Sequence, residues 1–435
     1  MRSAALFLEL LVLLPITLLR PFVGVLLWSW ISFMNPHRLV YDGPALAVPW
    51  AMLTFGATVV GCVIAREPKR FPLNAVTVLI ALFLVMISVT TLFAVGPWPE
   101  VEAKWEAVSK AFLFLLVTAS LLTDRDRIHA LIWVMALSLA FYGIKGGAFT
   151  ILGGGANRVF GPDGTMIGDN NHLAVALLVS LPLMNYLRLE SRHALIRHGF
   201  LATMVLTLFS VVGSYSRGAL LALAAVTAYF WLKSSKKLVS GILLAAALAG
   251  ALAFMPENWL DRMHTIGTYE EDSSATSRLD IWHTAWRIAV ARPLTGGGFY
   301  APYSQPVVDQ YDPGAAARAV HSIWFEVLGE QGFPTFFVWV GISVAGAIYA
   351  RRIISRTRGI AELAWCANLA RMVQVSMIAY LVGGSFLSLC YWDYYFTLLA
   401  IVSALYQHVT ATLGSTAARP VRLAAAPSRL AALPR

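Results

Sequence analysis

The stretch LNAVTVLIALFLVMISVTTLFAV, Leu73 to Val95, runs for 23 residues without a charged side chain. About 18 such residues are enough for a helix to cross the hydrocarbon core of a bilayer. Working outward, comparable apolar runs occupy Ala45–Ala65, Ile128–Leu152, Leu201–Val212, Gly218–Leu232, Leu238–Phe254, Phe336–Ala350 and Val375–Leu389. Several exceed the spanning length, and others reach it with their flanks. The whole 435-residue chain agrees: 58% is hydrophobic, 13% charged, and the mean hydropathy is +0.68. A soluble domain carries about a quarter charged residues, so this chain lacks the polar surface to bury its apolar residues in water. The fold expected is an all-α polytopic integral membrane protein.

Basic residues mark every second connection between these runs: Arg66, Lys69 and Arg70; Arg125 and Arg127; Arg188, Arg192 and Arg197; Lys233, Lys236 and Lys237; and Arg351, Arg352, Arg356 and Arg358. The C-terminal tail adds Arg419, Arg422, Arg429 and Arg435. By the positive-inside rule these connections are cytoplasmic, and the net charge of +10 then reflects topology and contact with membrane lipids. No aromatic-interleaved basic face suggests nucleic acid. The alternate connections contain Glu100 and Glu102, then Gly153–Asp169, then the long stretch from Pro256 to Val320. They belong outside, in the periplasm of a Gram-negative host.

The alternation fits about 12 spans with both termini cytoplasmic, Ala4–Met34 counting as one span kinked at Arg20-Pro21. The N-terminus shows no small-residue cleavage site and reads as a retained first helix. The expected organisation is a bundle of about nine spans over 1–255 and a large outer loop over 256–332. About three spans follow over 333–413, then a disordered tail over 414–435. Cys62, Cys366 and Cys390 lie in apolar runs without paired spacing, which implies neither metal nor disulfides.

Polar residues gather at the outer side in three places. The first holds Arg158, the turn Gly161-Pro-Asp-Gly164, and Asp169-Asn170-Asn171-His172, where Asp169 or Asn170 also suits the cap of the following helix. The second is Ser214-Tyr215-Ser216-Arg217-Gly218, which separates two apolar runs and sets Arg217 at the membrane surface. That arginine either snorkels to headgroups or turns inward to hold an anion. The third begins with an amphipathic helix over Ser277–Val290, with Arg278 near its start and Leu279, Trp282, Trp286 and Ile288 facing membrane or core. A glycine-rich turn, Thr295-Gly-Gly-Gly-Phe299, follows but lacks the lysine and helix of a P-loop. His321 then opens a helix with Trp324, Phe325 and Leu328 on one side and a polar stripe of Ser322, Glu326 and Glu330. A helix N-terminus favours neutral imidazole and attracts anions, which suits a general base.

In this order, the Ser-Tyr-Ser-Arg217-Gly segment, the stretch Arg278…Trp282…Arg292-Pro-Leu-Thr-Gly-Gly-Gly-Phe, and His321-Ser-Ile-Trp-Phe-Glu-Val-Leu-Gly-Glu-Gln-Gly-Phe333 resemble the O-antigen ligase / O-antigen polymerase superfamily. The upstream stretch from Arg158 to His172 is similar to its exosortase-associated O-glycosylation ligase branch. The resemblance covers roughly residues 150–340. It implies glycosyl transfer from an undecaprenyl-diphosphate-linked glycan at the outer face of the bacterial inner membrane. The acceptor it implies is lipid A–core, a protein hydroxyl or another lipid-linked repeat, with lipid A–core placed first.

Carried over residue by residue, the resemblance makes His321 the group that activates the acceptor hydroxyl, with inversion at the anomeric carbon. It makes Arg217 and Arg278, with Arg158, the holders of the donor diphosphate, a task arginine performs without metal. Asp169, Asn170, Asn171, His172, Tyr215, Ser216, Glu326 and Glu330 remain acceptor-binding or supporting candidates. No cofactor is called for, and the one Asp-x-Asp spacing, Asp124 and Asp126, falls in a basic connection away from this site. A transporter is the non-enzymatic alternative. It predicts ionisable residues at mid-bilayer depth and matched broken helices, and only Lys145, beside Gly143, Gly146 and Gly147, leans that way.

Overall fold

A computed structural model describes residues 2–40, 43–233, 236–264 and 273–417. The described residues are about 78% helix, and no strand occurs among them. The helices are α1 (Arg2–Leu19), α2 (Pro21–Met34), α3 (Pro44–Ala47), α4 (Trp50–Ile64), α5 (Ala75–Thr91), α6 (Trp98–Leu121), α7 (Arg125–Leu152), α8 (Asn170–Glu190) and α9 (Ala194–Val212). There follow α10 (Arg217–Lys233), α11 (Lys237–Phe254), α12 (Glu257–His264), α13 (Ser273–Ala291), α14 (Gln305–Tyr311), α15 (Ile323–Arg356), α16 (Ala364–Gly384) and α17 (Asp393–Ala417). Among the described residues six helices are long and apolar enough to cross a membrane: α7, α8, α9, α15, the α16 segment and α17. Shorter apolar helices include α1, α2, α4 and α5.

Ala4–Met34 is not one kinked span. Arg20, at φ −133° and ψ 82°, separates α1 from α2. Phe7 lies edge-on to Trp50 with ring centroids 5.5 Å apart, and Gly61 backs onto the Thr17 carbonyl. Gly24, by contrast, meets Thr58, while Leu27 and Ile31 return to pack with Leu10 around Trp50. Thus α1 runs parallel to α4 and α2 antiparallel to it. Proline at the first position of α2 lacks an amide that a helix start would leave unpaired anyway, so a hairpin satisfies the backbone better than a kink. The hairpin breaks the phase of the charge alternation, which therefore no longer fixes the side of the N-terminus.

Local capping sets several helix starts. Asn74 Oδ1 accepts from Val76 N at 3.1 Å above α5, and Asp124 Oδ1 accepts from Arg127 N at 3.0 Å above α7. This cap accounts for half of the Asp-x-Asp pair. The glycines of α7 form a packing seam: a methyl on Gly147 would sit 2.0 Å from the Leu206 carbonyl oxygen, and one on Gly143 would strike Thr207. Small residues let helices approach this closely in a bilayer. Lys145, between them, is exposed on the opposite face of α7, so it does not mark an internal path. At the C-terminus α17 continues through Ala417, past the expected start of the tail at Gly414. The remainder of that tail, 418–435, lies outside the described residues, as does 265–272 of the long loop.

The helices place the candidate residues at one end and the basic connections at the other. Arg217 begins α10 and Lys233 ends it. Asn170 begins α8 and Arg188 is in its last turn. The start of α15 carries Glu326, and its last turn carries Arg356.

Candidate functional site

His321 is not the first residue of a helix. Its backbone is left-handed, φ 49°, and α15 starts two residues later with Ser322 at the cap position. A non-glycine residue in this region is strained by about 1–3 kcal/mol unless its surroundings hold it there. Two contacts do so. Trp282 Nε1 donates to the Val320 carbonyl at 2.8 Å, and the His321 amide donates to Ser388 Oγ at 2.9 Å. The imidazole Nδ1 is buried without a hydrogen-bond partner among the described residues.

The ring of His172 faces His321, centroids 6.4 Å apart. Asp169 organises that neighbour. Its Oδ1 caps α8 by accepting from Asn171 N at 2.8 Å and His172 N at 3.3 Å, and it lies 3.1 Å from His172 Nδ1. Despite partial burial, these bonds and the imidazole hold its carboxyl well below the usual range. The pKa of His321 is lowered to about 4 by burial first, then by the charge of Arg278, then by His172. Burial and nearby positive charge both disfavour imidazolium. At neutral pH His321 is a neutral acceptor set beside a cation.

The turn before Arg217 forms a second cluster. Tyr215 is also left-handed, φ 60°; its hydroxyl donates to the Gly155 carbonyl at 2.7 Å, and the Arg158 guanidinium lies 5.7 Å from its ring. Asn170 Nδ2 donates to the Ser214 carbonyl at 2.6 Å and ties the start of α8 to this turn, while Asn171 Nδ2 donates to Asn170 Oδ1 at 3.2 Å. Ser216 Oγ accepts from Ala219 N at 3.2 Å, as a helix cap does. Arg262 of α12 donates from Nε to the Tyr215 carbonyl at 3.0 Å. Arg158, Arg217 and Arg262 thus converge on one turn, with Arg278 on the His321 side. The loop after α16 joins the two clusters: Phe386 packs on Gly218, and Ser388 holds His321.

The polar stripe of α15 points inward. Glu326 and Glu330 are 2% and 0% exposed, and both accept from Lys104 Nζ of α6, at 2.9 and 2.7 Å. Tyr391 donates to Glu330 at 2.8 Å and Tyr303 to Glu326 at 2.8 Å. The Tyr303 hydroxyl also lies 3.2 Å from Ser388 Oγ. A continuous chain therefore leads from the His321 amide through Ser388 and Tyr303 to Glu326 and Lys104. The apolar side of α15, by contrast, opens with α13 onto a groove of ≈580 Å³ lined by Leu279, Trp282, Trp286, Trp324 and Phe325. Ile288 turns the other way, into the core.

The glycine-rich turn has a structural task. Gly297 and Gly298 donate to the Gly329 and Glu330 carbonyls at 2.9 and 2.8 Å, where α15 breaks at Gly332, φ 73° and ψ 178°. The break leaves carbonyls without helical partners, and the turn supplies them. Gly296 and Gly298 themselves have φ of 61° and 81°, which glycine adopts without strain. Arg292 is likewise engaged by the Gly296 and Phe93 carbonyls, at 2.7 and 2.6 Å.

Lys104, Arg262, Tyr303 and Ser388 were not indicated by any sequence pattern. Lys104 sits among Glu100, Glu102 and Glu106 in what reads as a solvated connection, and Ser388 lies inside an apolar run.

Residues 202–340 match a family model described as O-antigen ligase. Residues 1–194 match a family of unknown function (DUF5935). No curated protein matches the chain. The first model covers Arg217, Arg262, Arg278 and His321; Arg158, Asp169, His172 and Lys104 fall in the second, and Ser388 in neither. The chain is an all-helical, multi-pass membrane protein whose residues 202–340 carry an O-antigen ligase family domain.

Proposed function

We propose that this protein transfers a glycan from undecaprenyl diphosphate to an acceptor hydroxyl, with O-antigen joined to lipid A–core as the first reading. The observation that carries it is His321: a neutral imidazole whose buried Nδ1 has no hydrogen-bond partner among the described residues, placed beside Arg278 and opposite His172. In this reading the imidazole takes the proton of the acceptor hydroxyl as its oxygen attacks the anomeric carbon. The bond to the diphosphate breaks on the opposite face, so the configuration inverts. Negative charge grows on the leaving diphosphate, and Arg217, Arg278 and Arg158 hold it. Asp169 keeps His172 oriented towards His321. The site lies at the periplasmic face of the inner membrane, and the reaction needs no metal.

Purified protein, given an undecaprenyl-diphosphate glycan and separately lipid A–core, a protein acceptor or no acceptor, tests this. Product on lipid A–core, absent with Arg217→Ala, supports the ligase. Product on protein alone moves the reading to protein O-glycosylation, and a lengthened lipid-linked glycan moves it to a repeat-unit polymerase. Consumption of no donor under any condition removes glycosyl transfer.

A further inference from the structure

At the end of the bundle away from His321, a cleft of ≈580 Å³ opens between the last turns of α10, the last turns of α15 and the first half of α16. Among the described residues four cations line it, Lys233, Arg351, Arg358 and Arg371, and no carboxylate does. On α15 the lining positions 351, 354 and 355 follow i, i+3, i+4 spacing, which is one helix face, and Arg358 joins them from the turn after the helix. Phe230 and Val375 line its apolar part.

Depth is the unusual feature. Arg371 stands seven residues inside the start of α16 at Ala364, about 10 Å at 1.5 Å per residue. Arg351 stands five residues before the end of α15 at Arg356, about 8 Å. Both residues thus stand more than a turn inside helices long and apolar enough to span a membrane, where an unneutralised charge would be costly. The other arginines on this end of α15 have local partners: Arg352 stacks over Tyr349 at 5.5 Å and Arg356 over Tyr406 at 5.3 Å. In the cleft, Arg371 Nη1 donates to Asn368 Oδ1 at 3.0 Å, a neutral contact that leaves its charge uncompensated.

We propose that this cleft is a binding site for an anionic phospholipid, with the phosphate between Arg351 and Arg371 and an acyl chain on Phe230 and Val375. A phosphate supplies the missing anion at that depth, and Arg offers it a fork of donors. The apolar floor distinguishes a lipid from a free anion, and basic pockets between spanning helices suit such headgroups. The inference does not depend on the glycosyl-transfer reading.

Native mass spectrometry of the full chain, titrated with phosphatidylglycerol and with phosphatidylcholine, tests it. The wild type should bind one phosphatidylglycerol roughly tenfold more tightly than phosphatidylcholine. Arg351→Gln/Arg371→Gln should lose that preference, while Arg352→Gln/Arg356→Gln, with the same change of charge, should keep it. Arg351→Lys/Arg371→Lys keeps the charge and should retain most of the preference, which separates loss of the site from loss of folding. Equal loss in both glutamine pairs would overturn the proposal in favour of diffuse attraction. So would a preference undiminished in Arg351→Gln/Arg371→Gln. Full displacement of the lipid by millimolar inorganic phosphate would overturn the lipid assignment and make the cleft a free-phosphate site.

Discussion

The amide of His321 donates to the side chain of Ser388 at 2.9 Å while the His321 backbone stands at φ 49°. The residue proposed to do the chemistry is thus held in a strained conformation by a hydroxyl 67 positions away. Ser388 in turn joins Tyr303, Glu326 and Lys104, so the position of the imidazole is tied to a buried charged cluster.

Ser388→Ala should therefore lower the turnover number by about tenfold, the scale of a misplaced reacting group, with the KM for donor unchanged. Ser388→Thr keeps the hydroxyl and should recover most of the rate. Steady-state transfer kinetics read both; a rise in donor KM without loss of turnover would place Ser388 in binding instead.

The pH profile follows from the depressed pKa. Because His321 is held at about 4, its basic form persists well below neutrality. The rate should stay level on acidification from pH 8 and fall only as the pH drops through about 4. Arg278→Gln removes a charge that opposes protonation, so the acid limb should move up towards 6.5, the ordinary value for histidine. A wild-type limb already near 6.5 would contradict the proposed environment.

Lys104 neutralises two carboxylates buried at 2% and 0% exposure. Lys104→Met should cost about 3–5 kcal/mol, as removal of one partner from a buried ion pair does. Lys104→Met/Glu326→Gln/Glu330→Gln should regain much of it, since no orphaned charge remains. Unfolding in detergent measures the series, and a Lys104→Met protein as stable as wild type would refute the cluster's role.

Arg262 supports the Tyr215 turn from which Arg217 emerges, through a bond of 3.0 Å to the Tyr215 carbonyl. Arg262→Ala should raise the KM for donor by roughly tenfold, the worth of one charge-assisted contact. Arg217→Lys should not restore an Arg217→Ala loss, because an ammonium lacks the planar fork. Donor titrations separate these outcomes.

The candidate spans α7, α9, α15 and α16 were legible because each holds a local apolar run, and α13 because its apolar spacing is helical. Asp169 was legible as a cap for the same local reason. The hairpin at Arg20 was not, because a proline after an arginine reads equally as kink or reversal until Trp50 is seen packing against both arms. The stripe of Ser322, Glu326 and Glu330 had the correct period, but periodicity does not say which side faces the core. Here the answer depends on Lys104, 222 positions from Glu326. The glycine turn, lacking the lysine and helix of a P-loop, showed no task in the sequence until the break at Gly332 revealed which carbonyls its amides serve. Contacts made across such distances leave no pattern in a single sequence.

The most direct test of the central claim is single-turnover transfer from an undecaprenyl-diphosphate glycan in the presence of a chelator, comparing wild type with His321→Ala. The product linkage is read by NMR. The account predicts an inverted anomeric configuration, and a rate reduced by at least about 100-fold in His321→Ala, with donor still bound. A retained configuration, or transfer in His321→Ala at the wild-type rate, would contradict it.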